Sequence, residues 1–139
     1  MIVIVCIDDN KGMMFNHRRQ SRDIKVYEDI AAMAGENRLY MNEYSYKLFE
    51  GLSLESITVD SEFLQRAEIG EYCFVEDVNV LPFIEKIEKV ILYWWNRHYP
   101  TDFYFDLPLD GWILKETTEF EGNSHEIIKK EIYISEEKI

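Results

Sequence analysis

The residues of this 139-residue chain best equipped for chemistry lie in one short basic run, His17-Arg18-Arg19-Gln20-Ser21-Arg22, which ends on a carboxylate at Asp23. Arginine presents a planar, permanently charged fork that matches the edge of a phosphate or carboxylate. Arg18, Arg19 and Arg22 therefore read as a holder for a small anionic ligand. They are also the main positive cluster in a chain of net charge -12 with 27 acidic residues. Pairing with acidic surface, within the chain or across a homodimer, is thus the competing use. A charge balance of this sign repels polyanions at long range, so no nucleic-acid partner is expected.

Glu76, Asp77, Asp8 and Asp9 end apolar runs, and oxygens so placed can hold Mg²⁺. Solvated strand ends are the commoner outcome, and no metal site is expected. His17, His98 and His125 are far apart, and HxHxDH, HExxH and CxxC spacings are absent, which disfavours a zinc hydrolase or metallo-nuclease. GxSxG, Walker A and GxGxxG are absent as well. His125, beside Asn123-Ser124, is expected to serve a turn. Cys6 and Cys73 sit inside apolar runs and read as free, buried, reduced thiols of a cytoplasmic protein. The aromatic belt Tyr93-Trp94-Trp95, His98-Tyr99 and Phe103-Tyr104-Phe105 should fill a core or a subunit interface. Its alternative use is to stack a flat heterocycle, with Tyr93 as the candidate.

These groups must be positioned by the elements between them. Ile2–Ile7 is apolar throughout and β-branched, which suits the centre of a sheet covered on both faces; it is too short for a membrane span or signal segment. Asp8–Gly12 has turn chemistry. Ser21 or Asp23 can cap a helix over Ile24–Ala34, and Gly35 stops it. The pattern then predicts a short strand at Arg38–Asn42, a helix at Tyr44–Phe49 and a strand at Ile57–Val59. A helix over Glu62–Ala67 capped by Ser61, a strand at Glu71–Val75, a helix over Val80–Ile87 and a strand at Lys89–Trp95 follow. Trp112–Ile134 reads as a closing hairpin around Gly122-Asn123-Ser124. Such alternation predicts one α/β domain over 1–139: three layers around a mostly parallel sheet joined by right-handed crossovers, finished by a C-terminal antiparallel hairpin.

In order and punctuation, most of the chain resembles the dihydrofolate reductase family. The likeness rests on the first strand, the Gly12-Met13 loop, the helix entered at Asp23, the strand Leu39-Tyr-Met-Asn42, the segment Phe83–Trp95, and the block from Asp102 through Trp112 to Asn123-Ser124-His125. In that family an acid at the start of the first helix bonds the pterin ring and helps deliver a proton to it. Asp23 stands at the matching place, so the resemblance implies a catalytic role for Asp23 beside a pocket that includes Arg18, Arg19, Tyr40 and Met41.

The departures concern the cofactor. The family's Trp and Pro before the acid are replaced by Arg18 and Ser21. Its phosphate-gripping Gly-Arg-x-Ser/Thr reads Asn42-Glu43-Tyr44-Ser45, in which Ser45 alone survives as a ligand-binding candidate. Its Gly-Gly pair reads Val75-Glu76-Asp77, where side chains block and carboxylates repel a diphosphate. No Arg near Gly51–Ser56 is available for a folate tail, and this part is short, as though an adenosine-side strand were lost. NADPH in the usual mode is therefore not expected, and no other cofactor is implied. The expected protein is a non-catalytic binding or regulatory protein for an anionic or heterocyclic small molecule. The alternatives are a divergent reductase of a pterin-like or flavin-like ring, with Asp23 as proton donor, and a purely structural homodimer.

Overall fold

The computed structural model describes residues 1–52 and 54–138. Along the chain run β1 (Ile2–Ile7), β2 (Gly12–Phe15), β3 (Arg18–Arg19), α1 (Ile24–Ala34), β4 (Leu39–Met41), α2 (Glu43–Tyr46) and β5 (Ile57–Val59). There follow α3 (Phe63–Arg66), β6 (Tyr72–Phe74), β7 (Lys89–Trp94), β8 (Phe103–Tyr104), β9 (Ile113–Glu121) and β10 (Ile127–Ile134). A seven-stranded sheet has the order β5-β4-β6-β1-β7-β10-β9. Its first five strands are parallel, and β10 runs antiparallel to β7 and β9. The expected three-layer α/β architecture with its closing hairpin is the observed one.

Physical reasons for this order are visible in β1. Val3, Val5 and Ile7 face one layer while Ile2 and Ile4 face the other, and all are buried. A strand apolar on both faces needs cover on both. Val26, Tyr27, Ile30 and Ala34 of α1 cover one side. Phe63 and Leu64 of α3, Met13 and Met14 of β2, and Phe105 and Leu107 cover the opposite side. Each such fully buried aliphatic side chain contributes roughly 1.5–3 kcal/mol. Tyr93 and Trp95 face the α1 layer, whereas Trp94 packs on the other, as strand alternation requires.

Helix α1 starts and stops where its sequence signals lie. The Asp23 side chain accepts the Lys25 N–H, and Gly35 closes the last turn by donating to the Ala31 carbonyl at φ 54°, ψ −118°. Elsewhere local competition wins. Ser61 does not cap α3; the Asp60 carboxylate instead accepts the Glu62 N–H at 2.8 Å. The expected α-helix at Val80–Ile87 is a 3₁₀ segment, Leu81–Lys86, entered through Pro82 and burying none of its residues. Tyr44–Phe49 contains only the single turn α2 before it loosens into turns.

A second, three-stranded sheet, β3-β2-β8, follows the carboxyl end of β1. Asn16 and His17 both have positive φ (52° and 62°), the backbone of a tight two-residue hairpin. The basic run thus lies partly on an ordered hairpin. No helix among the described residues is long and apolar enough to cross a membrane.

Gly35 offers a check on the helix stop. Its φ/ψ pair lies where only glycine is at ease. Gly35→Ala is expected to lower stability by about 1–2 kcal/mol, read as a lower urea midpoint with an unchanged m value.

Candidate functional site

Two side-chain clusters sit at the carboxyl ends of the parallel strands, and both depend on the β2–β3 hairpin and the segment leaving it. The first joins β3 to the segments after β4 and β6. The Val75 N–H continues β6 by donating to the Ile4 carbonyl of β1, which aims Glu76 across the sheet end. Asn42 caps α2 by accepting the Ser45 N–H, which fixes Ser45 opposite. Arg19 then grips Glu76 with both edges of its fork, Nε to Oε2 at 2.8 Å and Nη2 to Oε1 at 3.0 Å. Ser45 Oγ donates to the same Oε1 at 2.7 Å. The Tyr44 carbonyl accepts from Nη2, its hydroxyl accepts the Arg19 N–H, and its ring lies 4.2 Å beneath the guanidinium carbon. Burial alone would lower the Arg19 pKa, but pairing with Glu76 raises it. Asp77 is held separately, by Asn42 Nδ2 at 2.9 Å.

The second cluster is centred on Asp23, only 2% exposed. One turn of the closing hairpin folds over this carboxylate, and the N–H groups of Asn123, Ser124 and His125 all donate to it at 2.9–3.1 Å. With the Lys25 N–H, the Ser124 hydroxyl and His125 Nδ1 (3.0 Å), its acceptor positions are filled. Desolvation pushes its pKa upward, but the hydrogen bonds from Asn123, His125, Lys25 and Ser124 outweigh that and bring it down to about 2. Gly122 is required here for space, because a Cβ would lie 2.6 Å from the His125 carbonyl and 2.7 Å from Asp23 Oδ2. The other ring nitrogen of His125, Nε2, meets Ser21 Oγ at 2.9 Å and the Tyr99 hydroxyl at 3.2 Å. The imidazole is stacked on Trp95, with centroids 4.6 Å apart.

Between the clusters, buried Asp8 pins the backbone. It accepts the N–H groups of Asn10, Gly12 and Tyr99, and Gln20 Nε2 and the Thr101 hydroxyl. Burial opposes its ionisation, yet these hydrogen bonds hold its pKa below the usual carboxylate value.

The residues singled out in the sequence part company. Arg19 and Ser45 come together through Glu76. Arg18 and Arg22 stay exposed, with no carboxylate within ion-pair distance among the described residues. Tyr40 and Met41 are buried on opposite faces of β4, in different core layers, and so line no common pocket. Tyr93 is fully buried, and its hydroxyl donates to Asp29 at 2.5 Å. Cys73 is a buried free thiol, pushed up to about 12 by burial, whereas Cys6 is free and only partly buried. His125 serves the hairpin turn as expected, and also reaches Ser21. Small clefts flank the site: about 270 Å³ beside Arg22, Asp23, Leu48 and Asn123, and about 350 Å³ beside Phe15, Arg18, Gln20 and Tyr99. The larger cavity, about 760 Å³, opens at the other end of the sheet, around Met1, Arg66 and Glu88.

No protein-family model matches the chain, and no curated protein matches it in sequence. Among solved structures it is similar to a dihydrofolate reductase from Enterococcus faecalis, complexed with NADP(H) and RAB-propyl. The two share 11% identity over 97% of this chain and 95% of that one, at a TM-score of 0.70. The chain therefore has a dihydrofolate-reductase-like fold, with sequence far diverged.

The Asp23 cluster makes stability depend on acid in a defined window. Its folded pKa of about 2 lies below the ordinary 3.8, so the native state binds fewer protons than the unfolded one. The stabilisation is complete above pH 4 and is lost as pH falls toward 2, amounting to about 2 kcal/mol. Asp23→Asn, whose amide cannot accept at every position, is expected to lose about 2–4 kcal/mol at neutral pH. Its urea midpoint should also fall less steeply than the parent's as pH drops below 4, the remaining slope coming from other carboxylates such as Asp8.

Proposed function

We propose that this protein is a small-molecule-binding protein without pyridine-nucleotide chemistry, and that its cleft accepts an anionic group in place of the Glu76 carboxylate on Arg19. The observation that carries the reading is the Arg19–Glu76–Ser45 cluster, at the carboxyl ends of β1, β4 and β6, where open α/β sheets take their ligands. Arg19 there holds a carboxylate bidentately, which is the geometry that an external carboxylate or phosphate would use. Glu76 acts as an internal stand-in for such a ligand.

The same residues argue against a dinucleotide. Glu76 is 8% exposed and Val75 is fully buried, so no open backbone cradle faces the cleft. A diphosphate there would meet Glu76 and Asp77, while the first turn of α2 carries the acid Glu43 rather than a phosphate-gripping residue. Reduction of a pterin-like ring with Asp23 as proton donor draws no support either. A carboxylate with a pKa of about 2 and six protein donor groups around it has neither the proton nor the free edge to deliver one.

The test is a thermal-shift series. NADPH and folates are expected to leave the melting temperature of the parent unchanged, and a rise with NADPH would overturn the reading. Glu76→Ala leaves the half-buried Arg19 without its partner and should cost about 1–3 kcal/mol. Millimolar acetate should restore part of this loss in the variant and do little to the parent. Equal responses in the two proteins would show that Arg19 does not hold external anions.

A further inference from the structure

Ser21, His125 and Asp23 meet the geometric conditions for a nucleophile, a base and the carboxylate that orients the base. Ser21 Oγ lies 2.9 Å from His125 Nε2, and His125 Nδ1 lies 3.0 Å from Asp23 Oδ2. The carboxylate accepts rather than donates, which places the Nδ1 proton on the side of Asp23 and leaves the Nε2 lone pair facing the serine. The ring cannot turn away, since it is stacked on Trp95 and only 3% exposed. Ser21, by contrast, is partly open to solvent. For stability alone the buried imidazole needs one partner on its far nitrogen, and the Tyr99 hydroxyl at 3.2 Å is within reach of that role; the closer contact, at 2.9 Å, is made by the partly exposed Ser21.

We propose that Ser21, His125 and Asp23 form an acyl-transfer triad that hydrolyses a small carboxylic ester carrying a negative charge. Triads are recognised by geometry and roles rather than by their order in the chain. Ser21 Oγ bonds to the ester carbonyl carbon as its proton passes to His125 Nε2. The bond to the alkoxy oxygen then breaks, and the alcohol leaves with that proton. Water attacks the acyl-serine, again giving a proton to Nε2, and its collapse returns the proton to Ser21 Oγ and frees the acid. Ester and water become acid and alcohol, with no redox change. The Arg22 N–H, next in the chain to the nucleophile, makes no hydrogen bond among the described residues and is the backbone donor the proposal assigns to the carbonyl oxygen. The clefts lined by the chain neighbours of Ser21, about 270 Å³ at Arg22 and about 350 Å³ at Gln20, hold small substrates only, and the exposed guanidinium groups of Arg18 and Arg22 favour an anionic one. Tyr99, whose hydroxyl lies 3.3 Å from Ser21 Oγ and 3.2 Å from Nε2, competes for the same lone pair and positions the serine rather than reacting.

This goes beyond the Arg19–Glu76 reading and uses none of its groups. The test is to treat the unmodified protein with a fluorophosphonate, which phosphonylates activated serines, and to locate the adduct by peptide mass. A single adduct on Ser21 is expected; no adduct, or one on Tyr99 or elsewhere, overturns the proposal. Hydrolysis of mono-4-nitrophenyl succinate should exceed that of neutral 4-nitrophenyl acetate and fall about 100-fold or more in Ser21→Ala. A folded Ser21→Ala protein that hydrolyses both at the parental rate also overturns it. If that variant fails to fold, the adduct site on the unmodified protein decides alone.

Discussion

The structure turns on one buried carboxylate. Asp23 joins the first helix to the last hairpin, accepting from Lys25 two residues away and from Asn123 a hundred residues away. Burial of an isolated carboxylate is strongly unfavourable, and here three consecutive turn amides, a hydroxyl and an imidazole offset it. Everything near it inherits a constraint. Gly122 has no room for a Cβ, the plane of His125 is set, and the chain leaving β3 must arrive at Asp23 along a fixed path. That path carries Arg19 and Ser21, so both side-chain clusters depend on the same anchor.

The scaffold was legible in the sequence because its signals are local. Ile2–Ile7 could only be a central strand, and Asp23 and Gly35 bracket a helix whose apolar stripe repeats with helical spacing. The hairpin declared itself through β-favouring runs around Gly122-Asn123. Failures occurred where neighbours overruled local preference. Pro82 and an exposed surface left Leu81–Lys86 as a 3₁₀ segment, and Asp60 took over the N–H that Ser61 was expected to cap.

The site was legible only as a list of reactive residues. Arg19, Ser45, Glu76, Ser21, Asp23 and His125 all stand out in the sequence, but not as partners of one another. Arg19 and Glu76 are 57 positions apart, Ser21 and His125 104, and nothing in the local pattern of either residue names the other. Only the strand order, with β6 between β4 and β1, sets Glu76 between Ser45 and Arg19. Tyr40 and Met41 show the converse failure. The family resemblance implied one pocket holding both, whereas strand alternation sends them to opposite layers.

A cleft closed by an ion pair differs physically from one closed by an apolar plug. Well-packed hydrophobic residues often match or exceed an ion pair withdrawn from water in stability, so stability alone does not explain the choice of half-buried Arg19 and buried Glu76. What the pair supplies is directionality, since the planar fork fits one carboxylate in one orientation, over one tyrosine ring. The backbone around it is over-determined. Gln20, the next residue, donates to Asp8, the Pro100 carbonyl and Thr101, and Asp23 fixes the chain three residues further on. The backbone bonds of the hairpin and the Ser21–His125 contact involve none of the side-chain torsions of Arg19. A charged side chain on a backbone pinned in this way has only its own few rotatable bonds to move, and none of them belongs to the Asp23 cluster.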